Sequence, residues 1–279
     1  MHRFLTVALS IIAISSPAIG QASAGNSYKN IAHLKDFQVI ELRRYTVKEG
    51  EREHFAQYFD TYFPEAIEQA GMLVFGEFFE RHNSVGFAWL RGYHSMDDRA
   101  IANAEFYFGP VWKEYKATMN NLLRDTDNVL LLRPLSPEHG VMVLPMVDPV
   151  LEPHGAQGHV VAQIFPIKAD SMDAFVRQAE SMFEAYKAAS VREAGVLVTL
   201  DVPNNFPQLS FRTDGSFLVW LGIVKDDDAL ENRFNPLARR VVQTLSATGL
   251  LKGDPETVIL DPTRRSRLRW IVSDSLTHK

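Results

Sequence analysis

Acidic, basic and aromatic side chains alternate along one strand-like segment near the start of the chain. In "FQVIELRRYTV" (37–47), branched and aromatic residues alternate with polar ones, a pattern that is typical of a β-strand. Every second side chain of a strand points to the same side of its sheet, so Glu41, Arg43 and Tyr45 share one face. A carboxylate, a guanidinium and a phenol on one face could accept a proton, hold negative charge and contact an aromatic substrate.

A second strand-like segment carries a matching set of side chains. "VGFAWLRGYH" (85–94) is separated by a polar turn from "MLVFGEFFE" (72–80), which predicts a β-hairpin. Trp89, Arg91 and Tyr93 have the same parity, so they also share a face. If both strands line one cavity, its walls are aromatic with a few fixed charges, as in many small-molecule sites. The candidate catalytic residues are Glu41 and Arg43, and the candidate ligand-binding residues are Tyr45, Trp89, Arg91 and Tyr93.

The same charges also have a purely structural interpretation. Glu41 and Arg91 would then form a buried ion pair that serves the fold alone. The segment "VVAQIFPIK" (160–168), which opens the second half, has no counterpart to Glu41 or Arg43. Any polar site is therefore expected in the first half only.

Strand alternation also predicts which layer each face contacts. Ile40 and Leu42 are expected to face a helix layer, because both are apolar. Glu41, Arg43 and Tyr45 are then expected to face the interior between two sheets.

The elements that must position these residues follow the same order twice along the chain. In the first half they are a strand at 37–47, a helix at 49–71, a hairpin at 72–94, a helical stretch at 95–121 that Gly109-Pro110 interrupts, and a strand at 128–135. In the second half they are a strand at 160–168, a helix at 171–195, strands at 196–202 and 215–225, a helix at 230–251, and a strand at 257–263. This βαββαβ order is the ferredoxin-like plan. Trp89-Leu90 matches Trp220-Leu221, and Ala70-Gly71 matches Ala194-Gly195, which indicates a tandem duplication.

The junction "YHSMDDRA" (93–100) joins a strand to a helix. Ser95 stands where a helix N-cap is expected, with Asp97 and Asp98 in the first turn, where the helix dipole favours negative charge. Of this stretch, Tyr93 is the residue expected to face a pocket.

Composition and the N-terminal segment limit the classes of protein to which the chain can belong. The net charge is −5, so the protein lacks the positive surface charge that binding to nucleic acid or to an anionic membrane requires. The chain has no cysteine, which excludes disulfides and thiolate chemistry.

Residues 1–24 show a basic start, a short apolar stretch and small residues before Ala24. This pattern predicts a secretory signal peptide; an uncleaved anchor is the alternative. We expect a periplasmic or secreted protein without a membrane span after cleavage.

Four segments resemble the NIPSNAP domain: "IELRRYTVKEGEREHF", "YHSMDDRA", "GPVWKEY" and "LLLRPL". The resemblance covers about residues 37–135, and residues 158–263 share it only through the repeat. One departure is Arg91, where the family commonly has an aromatic residue two positions before the junction tyrosine. The resemblance implies a dimeric α/β-barrel fold, in which two ferredoxin-like sheets pair across an interface.

The expected fold class is therefore α+β, with two tandem ferredoxin-like (βαββαβ) repeats that form an internal pseudo-dimeric α/β barrel. The expected domains are a NIPSNAP-like domain at 37–135, a Pro-rich linker at 136–157, a second, diverged repeat at 158–263, and a basic tail at 264–279 that is either solvated or docks as a helix.

The function expected from the sequence is binding of a small apolar or aromatic ligand, or of a protein partner, without an assigned reaction. The alternative, implied by the resemblance, is a cofactor-free or haem-dependent monooxygenase that acts on an aromatic or quinol-like substrate. No cofactor and no metal site are expected, because only His154 and His159 lie close together, without carboxylates at ligand spacing. Haem, which would need an axial histidine, stays open, as do enzyme activity and a homo-oligomer.

Overall fold

The computed structural model describes residues 36–271. The predicted signal peptide at residues 1–24 lies outside this range, and so does the end of the basic tail. Within the described range, no helix is long and apolar enough to cross a membrane.

Helices and strands of the first half follow the predicted order. They are β1 (Val39–Val47), α1 (Arg52–Tyr62), α2 (Pro64–Gln69), β2 (Leu73–Glu80), β3 (Gly86–Tyr93), α3 (Met96–Tyr107), α4 (Pro110–Leu122) and β4 (Leu123–Pro134). The single helix expected at 49–71 is two helices, because Pro64 lacks the N–H that an interior helical turn needs and starts a new helix instead. Pro110 likewise starts α4, so the predicted interruption of the 95–121 stretch is confirmed.

The second half repeats this order of elements. It contains β5 (His159–Ile167), α5 (Met172–Ala188), β6 (Arg192–Thr199), β7 (Ser216–Val224), a π-helical turn (Ala229–Phe234), α6 (Asn235–Ser246) and β8 (Glu256–Pro262). The helix expected to reach residue 195 is shorter, because Ser190 adopts a left-handed backbone (φ 62°) and Arg192–Thr199 pairs with β7. Gly195 therefore lies inside a strand, whereas Gly71 follows a helix, so the proposed match between their Ala-Gly pairs is wrong.

All eight strands named above join into one closed antiparallel barrel. The order around the barrel is β1-β3-β2-β8-β5-β7-β6-β4. Each half contributes four adjacent strands in the same internal order, and the halves meet where β2 pairs with β8 and β4 pairs with β6. The mixed α/β barrel is thus as expected, while the tandem duplication stays a prediction.

The face of β1 that carries the candidate site residues contacts helices, not the barrel interior. Val39, on that face, belongs to a core cluster with Phe55 and Phe59 of α1, and the rings of Tyr45 and Phe55 lie 6.5 Å apart. Ile40 is fully buried outside this helix-side cluster and faces the barrel interior. The predicted assignment of the two faces was wrong, because both faces of β1 carry apolar residues and alternation alone does not say which one meets a helix.

The Pro-rich linker and the basic tail both pack against the barrel. Val141 and Leu144 of the linker are buried, and the N–H of Leu268 donates to the Phe75 carbonyl at 2.8 Å. Arg269 is 1% exposed and pairs with Glu152 at 2.6 Å. The tail docks, but its described residues do not form the helix that was one of the two expectations.

Ser95 caps α3 as its position predicted. Its backbone is extended and its hydroxyl oxygen accepts the N–H of Asp98 at 3.1 Å. We expect Ser95→Ala to lower the free energy of unfolding by about 1 kcal/mol, measured by urea denaturation, because an orphan N–H loses its acceptor. Ser171 is the matched control: it precedes α5 without a side-chain cap, so Ser171→Ala should change stability by only a few tenths of a kcal/mol. Equal effects of the two substitutions would contradict the cap.

Candidate ligand-binding site

Three guanidinium groups surround one buried carboxylate between the first-half sheet and α3. Arg43 Nη1 donates to Glu41 Oε2 at 2.7 Å, and Arg91 Nε donates to the same oxygen at 2.7 Å. Arg99 Nε donates to Glu41 Oε1 at 2.7 Å. All four side chains are at most 2% exposed, so this ion cluster is buried completely.

The Glu41 carboxyl stays ionised in this cluster. Burial by itself would raise its pKa, but the positive charges of Arg91, Arg43 and Arg99 together hold the pKa well below its usual value. A carboxylate that resists protonation is a poor proton acceptor near neutral pH. The geometry therefore gives Glu41 the position of a counterion, which favours the structural interpretation of this residue.

Arg99 is the member of the cluster that sequence reasoning missed. It lies in the "YHSMDDRA" stretch, one helical turn after the N-cap Ser95, on the buried face of α3 with Asn103 and Phe106. Its Nη1 also donates to Asn205 Oδ1 at 2.9 Å. The available signal was helical spacing, since i and i+4 share one face of a helix.

Positive charge and hydrogen-bond donors exceed negative charge and acceptors in this cluster. Three guanidiniums face one carboxylate, and the faces of aromatic rings supply part of the compensation: Arg91 Cζ lies 4.9 Å from the Trp89 ring centroid. The Nε1 of Trp89, the Nη2 of Arg99 and the Nδ2 of Asn103 are buried without an acceptor among residues 36–271. Buried charge is stable only when it is compensated, so the net positive charge of this cluster favours an anion beside it.

A cavity of about 120 Å³ opens next to Arg43, between the sheet and helices α1, α3 and α4. Eight of its fifteen lining residues are aromatic, among them Tyr45, Phe59, Trp89 and Trp112, and Arg43 is the charged residue of the lining. Mainly aromatic walls with a few polar groups are typical of small-molecule sites, and here Arg43 adds the charge.

The six candidate site residues divide into two layers. Arg43, Tyr45 and Trp89 line the cavity, whereas Glu41 and Arg91 lie behind it in the ion cluster. Tyr93 also lies behind the cavity, where its hydroxyl donates to Asn103 Oδ1 at 3.0 Å. Burial raises the pKa of Tyr93 above its usual value, so its phenol stays protonated.

The loop between β6 and β7 completes the site from the other half of the barrel. Leu209 lines the cavity, and Phe206 packs against Tyr107 of α3 with ring centroids 6.0 Å apart. The amide of Asn205 also donates to the Met96 carbonyl at 2.6 Å. The first-half site therefore depends on contacts from a second-half loop.

The equivalent place in the second half is filled. Arg43 pairs in register with Trp89, and Gln163 pairs in the same way with Trp220. Tyr186 donates to Gln163 Oε1 at 2.7 Å, and its ring lies 4.5 Å from that of Trp220. The asymmetry between the halves that the sequence predicted is therefore visible in the side chains.

The cavity does not fit a haem held by histidine. None of its lining residues is a histidine, and its volume is below the roughly 300–1,000 Å³ of pockets for larger ligands. Across the described chain, no three His, Cys, Asp or Glu side chains cluster as metal ligands would.

Comparison with known proteins identifies a family for part of the chain. Residues 40–137 match the model of the NIPSNAP family. No curated protein matches the chain.

Solved structures of similar fold cover most of the chain. A candidate monooxygenase from Lactobacillus acidophilus has a TM-score of 0.52 at 12% identity, covering 84% of this chain and 98% of its own. A candidate monooxygenase from Fusobacterium nucleatum has a TM-score of 0.54 at 11% identity, covering 84% and 96%. An anthrone oxidase-like protein has a TM-score of 0.52 at 13% identity, covering 85% and 98%. At these identities, the likeness shows the fold alone.

Proposed function

We propose that the protein, whose residues 40–137 match the NIPSNAP family, binds a small aromatic molecule in the cavity beside Arg43. The molecule carries an anionic oxygen. A carboxylate or a phenolate would supply that oxygen. The observation that carries this proposal is the guanidinium of Arg43 at the wall of a mainly aromatic cavity, backed by a buried cluster in which three guanidiniums face one carboxylate.

The size of the cavity supports a ligand with one ring. Its volume is about 120 Å³. An apolar cavity of roughly 150 Å³ is known to accommodate benzene. The surrounding rings, such as Phe59 and Trp89, can contact an aromatic ring by its face or its edge.

Arg43 has hydrogen-bonding capacity left for the ligand oxygen. Its Nε donates to the Tyr45 hydroxyl at 2.8 Å and its Nη1 donates to Glu41. Its second terminal nitrogen has no acceptor in the part of the chain that the structure describes. Glu41, Arg91 and Arg99 lie behind it, so we assign them the role of positioning Arg43 and supplying positive charge.

Removal of the Arg43 guanidinium is expected to weaken binding of benzoate by about tenfold to a hundredfold. A hydrogen bond to a charged group contributes about 1.5–3 kcal/mol, which corresponds to that factor. Isothermal titration of wild-type protein and Arg43→Met with benzoate, and with the neutral isostere benzamide, measures the effect. Wild-type protein should prefer benzoate, and Arg43→Met should lose this preference.

Gln163→Met is the matched control for Arg43→Met. Gln163 occupies the equivalent register position in the filled second half and does not line the cavity. This variant should bind benzoate like wild-type protein. Equal binding of benzoate and benzamide to wild-type protein, or unchanged benzoate binding by Arg43→Met, would contradict the proposal.

Cofactor-free oxidation of a phenolic or quinol-like substrate is the second candidate function. The names of the three structural neighbours favour it, although their likeness to this chain extends to the fold alone. Arg43 would stabilise the substrate's anion, which would then react with dissolved oxygen. Oxygen consumption, followed with an electrode in the presence of hydroquinone or anthrone, tests this candidate; an Arg43-dependent rate would support it, and no rate above the protein-free reaction would exclude it for these substrates.

The two halves of the barrel are proposed to derive from a tandem duplication in which only the first half kept a site. Their matching strand order and the equivalent places of Trp89 and Trp220 support this history. The filled place around Gln163 supports the loss of the second site.

A further inference from the structure

A second cavity lies on another part of the first half. It has a volume of about 340 Å³ and lies between α2, strand β2, the linker at 146–155 and the tail at 264–267. Val74 and Glu77 of β2 line it, and Met146 and Val147 supply apolar surface. None of the six candidate site residues lines this cavity.

Glu77 is a buried carboxyl group without a partner in this cavity. Its side chain is 3% exposed. Within residues 36–271, the hydrogen bonds of Glu77 are made by its backbone and none by its carboxyl group. Its backbone is held in place, since its N–H donates to Ser266 Oγ at 3.2 Å and its carbonyl accepts the N–H of Thr263 at 2.8 Å. An uncompensated buried carboxyl is unfavourable, so this group is poised for a partner from outside the chain.

Charged groups surround Glu77 from every element packed around it. They are Asp60 of α1, Glu65 and Glu68 of α2, Glu152 of the linker, and Arg264, Arg265 and Arg267 of the tail.

The arginines nearest to Glu77 already have partners. Arg267 pairs with Glu68 at 2.9 Å, and Arg265 pairs with Glu65. Arg264 is exposed at the mouth and donates to the Pro153 carbonyl at 3.1 Å. The negative charges of Asp60 and Glu68 act on Glu77 as well. The charges of Arg265 and Arg267 also act on Glu77, but among the described residues neither side chain forms an ion pair with its carboxyl group.

We propose that this cavity binds a small organic cation, a primary amine or guanidine with an apolar body, whose charged nitrogen pairs with Glu77. The apolar body would lie along Met146, Val147 and Pro149, which line the cavity. The ammonium group compensates the negative charge that Glu77 gains when it ionises, a charge that burial and the nearby Asp60 otherwise disfavour.

Binding of the cation is coupled to release of a proton. Burial, with the charge of Asp60 adding to it, raises the pKa of Glu77 to about 8, so the free protein holds a proton on this carboxyl near neutral pH. An ammonium ligand favours the carboxylate, and the proton leaves to the buffer. Affinity should therefore be about tenfold or more higher at pH 8 than at pH 6.

Isothermal titration with n-hexylamine at pH 6 and pH 8 tests this site. Wild-type protein should bind hexylamine more tightly at pH 8, with proton release that changes the measured heat between buffers of different ionisation enthalpy. Hexanoate and hexanol, which have the same chain, should bind at least tenfold more weakly. Glu77→Gln keeps the shape but cannot ionise, so it should lose hexylamine binding at least tenfold. The matched control is Glu105→Gln, on the exposed side of α3, and it should bind like wild-type protein.

Any of the following outcomes would overturn the proposal. The first is no binding of hexylamine to wild-type protein at either pH. The second is equal affinity at pH 6 and pH 8, or equal affinity of wild-type protein and a Glu77→Gln variant shown to be folded by circular dichroism. The third is tighter binding of hexanoate than of hexylamine, which would assign the cavity to anions held by Arg264 at its mouth.

Discussion

The Glu41→Gln variant is expected to have a free energy of unfolding about 3–5 kcal/mol below that of wild-type protein, in urea denaturation at pH 7. The carboxylate of Glu41 is the partner of three buried guanidiniums, and removal of one partner from a buried ion cluster has an effect of this size. The amide of glutamine retains the shape and one acceptor but not the charge. The substitution therefore removes the charge and also sets the amide NH2 against an arginine donor, because both oxygens of Glu41 accept hydrogen bonds.

The pH dependence of this difference follows from the lowered pKa of Glu41. In the folded protein the pKa of Glu41 lies below its ordinary value of 4.5. Such a carboxyl stabilises the folded state above pH 4.5, and this stabilisation is lost as the pH falls below that value. The gap between wild-type protein and Glu41→Gln should therefore shrink below about pH 4.5. Glu53→Gln is the control, because Glu53 pairs with Arg52 on the surface with 71% of its side chain exposed. A loss below 1 kcal/mol for Glu41→Gln would contradict the account of the cluster.

The Glu77→Gln variant is expected to be more stable than wild-type protein above about pH 5. The folded protein holds the Glu77 proton up to a pKa of about 8, whereas the unfolded chain releases it near 4.5. Between these values wild-type protein loses about 1.4 kcal/mol of stability for each pH unit. A glutamine has no proton to lose, so its advantage should grow by a few kcal/mol up to about pH 8 and then level off.

Denaturation of Glu77→Gln and wild-type protein at pH 4.5, 6, 7 and 8 measures this advantage. Asp60 shifts in the same direction, because burial raises its pKa to about 6. The two carboxyls interact, so the measured advantage includes any change in Asp60 that the loss of the Glu77 charge causes. Glu49→Gln, at an exposed turn position, is the control and should show no growing advantage. If the difference in free energy of unfolding between Glu77→Gln and wild-type protein is the same at all four pH values, Glu77 is not held protonated in the folded protein.

Sequence reasoning predicted the order of the elements because each one has a local signal. Alternation in 37–47 predicted β1, and Pro110 predicted the interruption between α3 and α4. The end of α5 was missed, because residues 189–195 have helical composition while pairing with β7 makes Arg192–Thr199 a strand. Tertiary contacts outweigh local preference in such segments.

For the candidate site, side-chain parity predicted which residues share a face of the sheet but not which layer that face contacts. Glu41, Arg43 and Trp89 do share a face of the sheet, yet that face meets α1 and α3. Two contributions lay outside any single segment: Arg99 comes from α3, and Leu209 comes from a loop in the second half. Contacts between distant segments are set by the fold, so a strand pattern alone does not reveal them.

The cavity beside Arg43 is tested most directly by anomalous diffraction from crystals grown with 4-bromobenzoate. The proposed function predicts a bromine peak among the aromatic side chains around Phe59 and Trp112, with the carboxylate about 3 Å from Arg43. Crystals of Arg43→Met should lack this peak. A bromine peak elsewhere on the protein, or none in the cavity of wild-type crystals, would contradict the proposal that this cavity is the binding site.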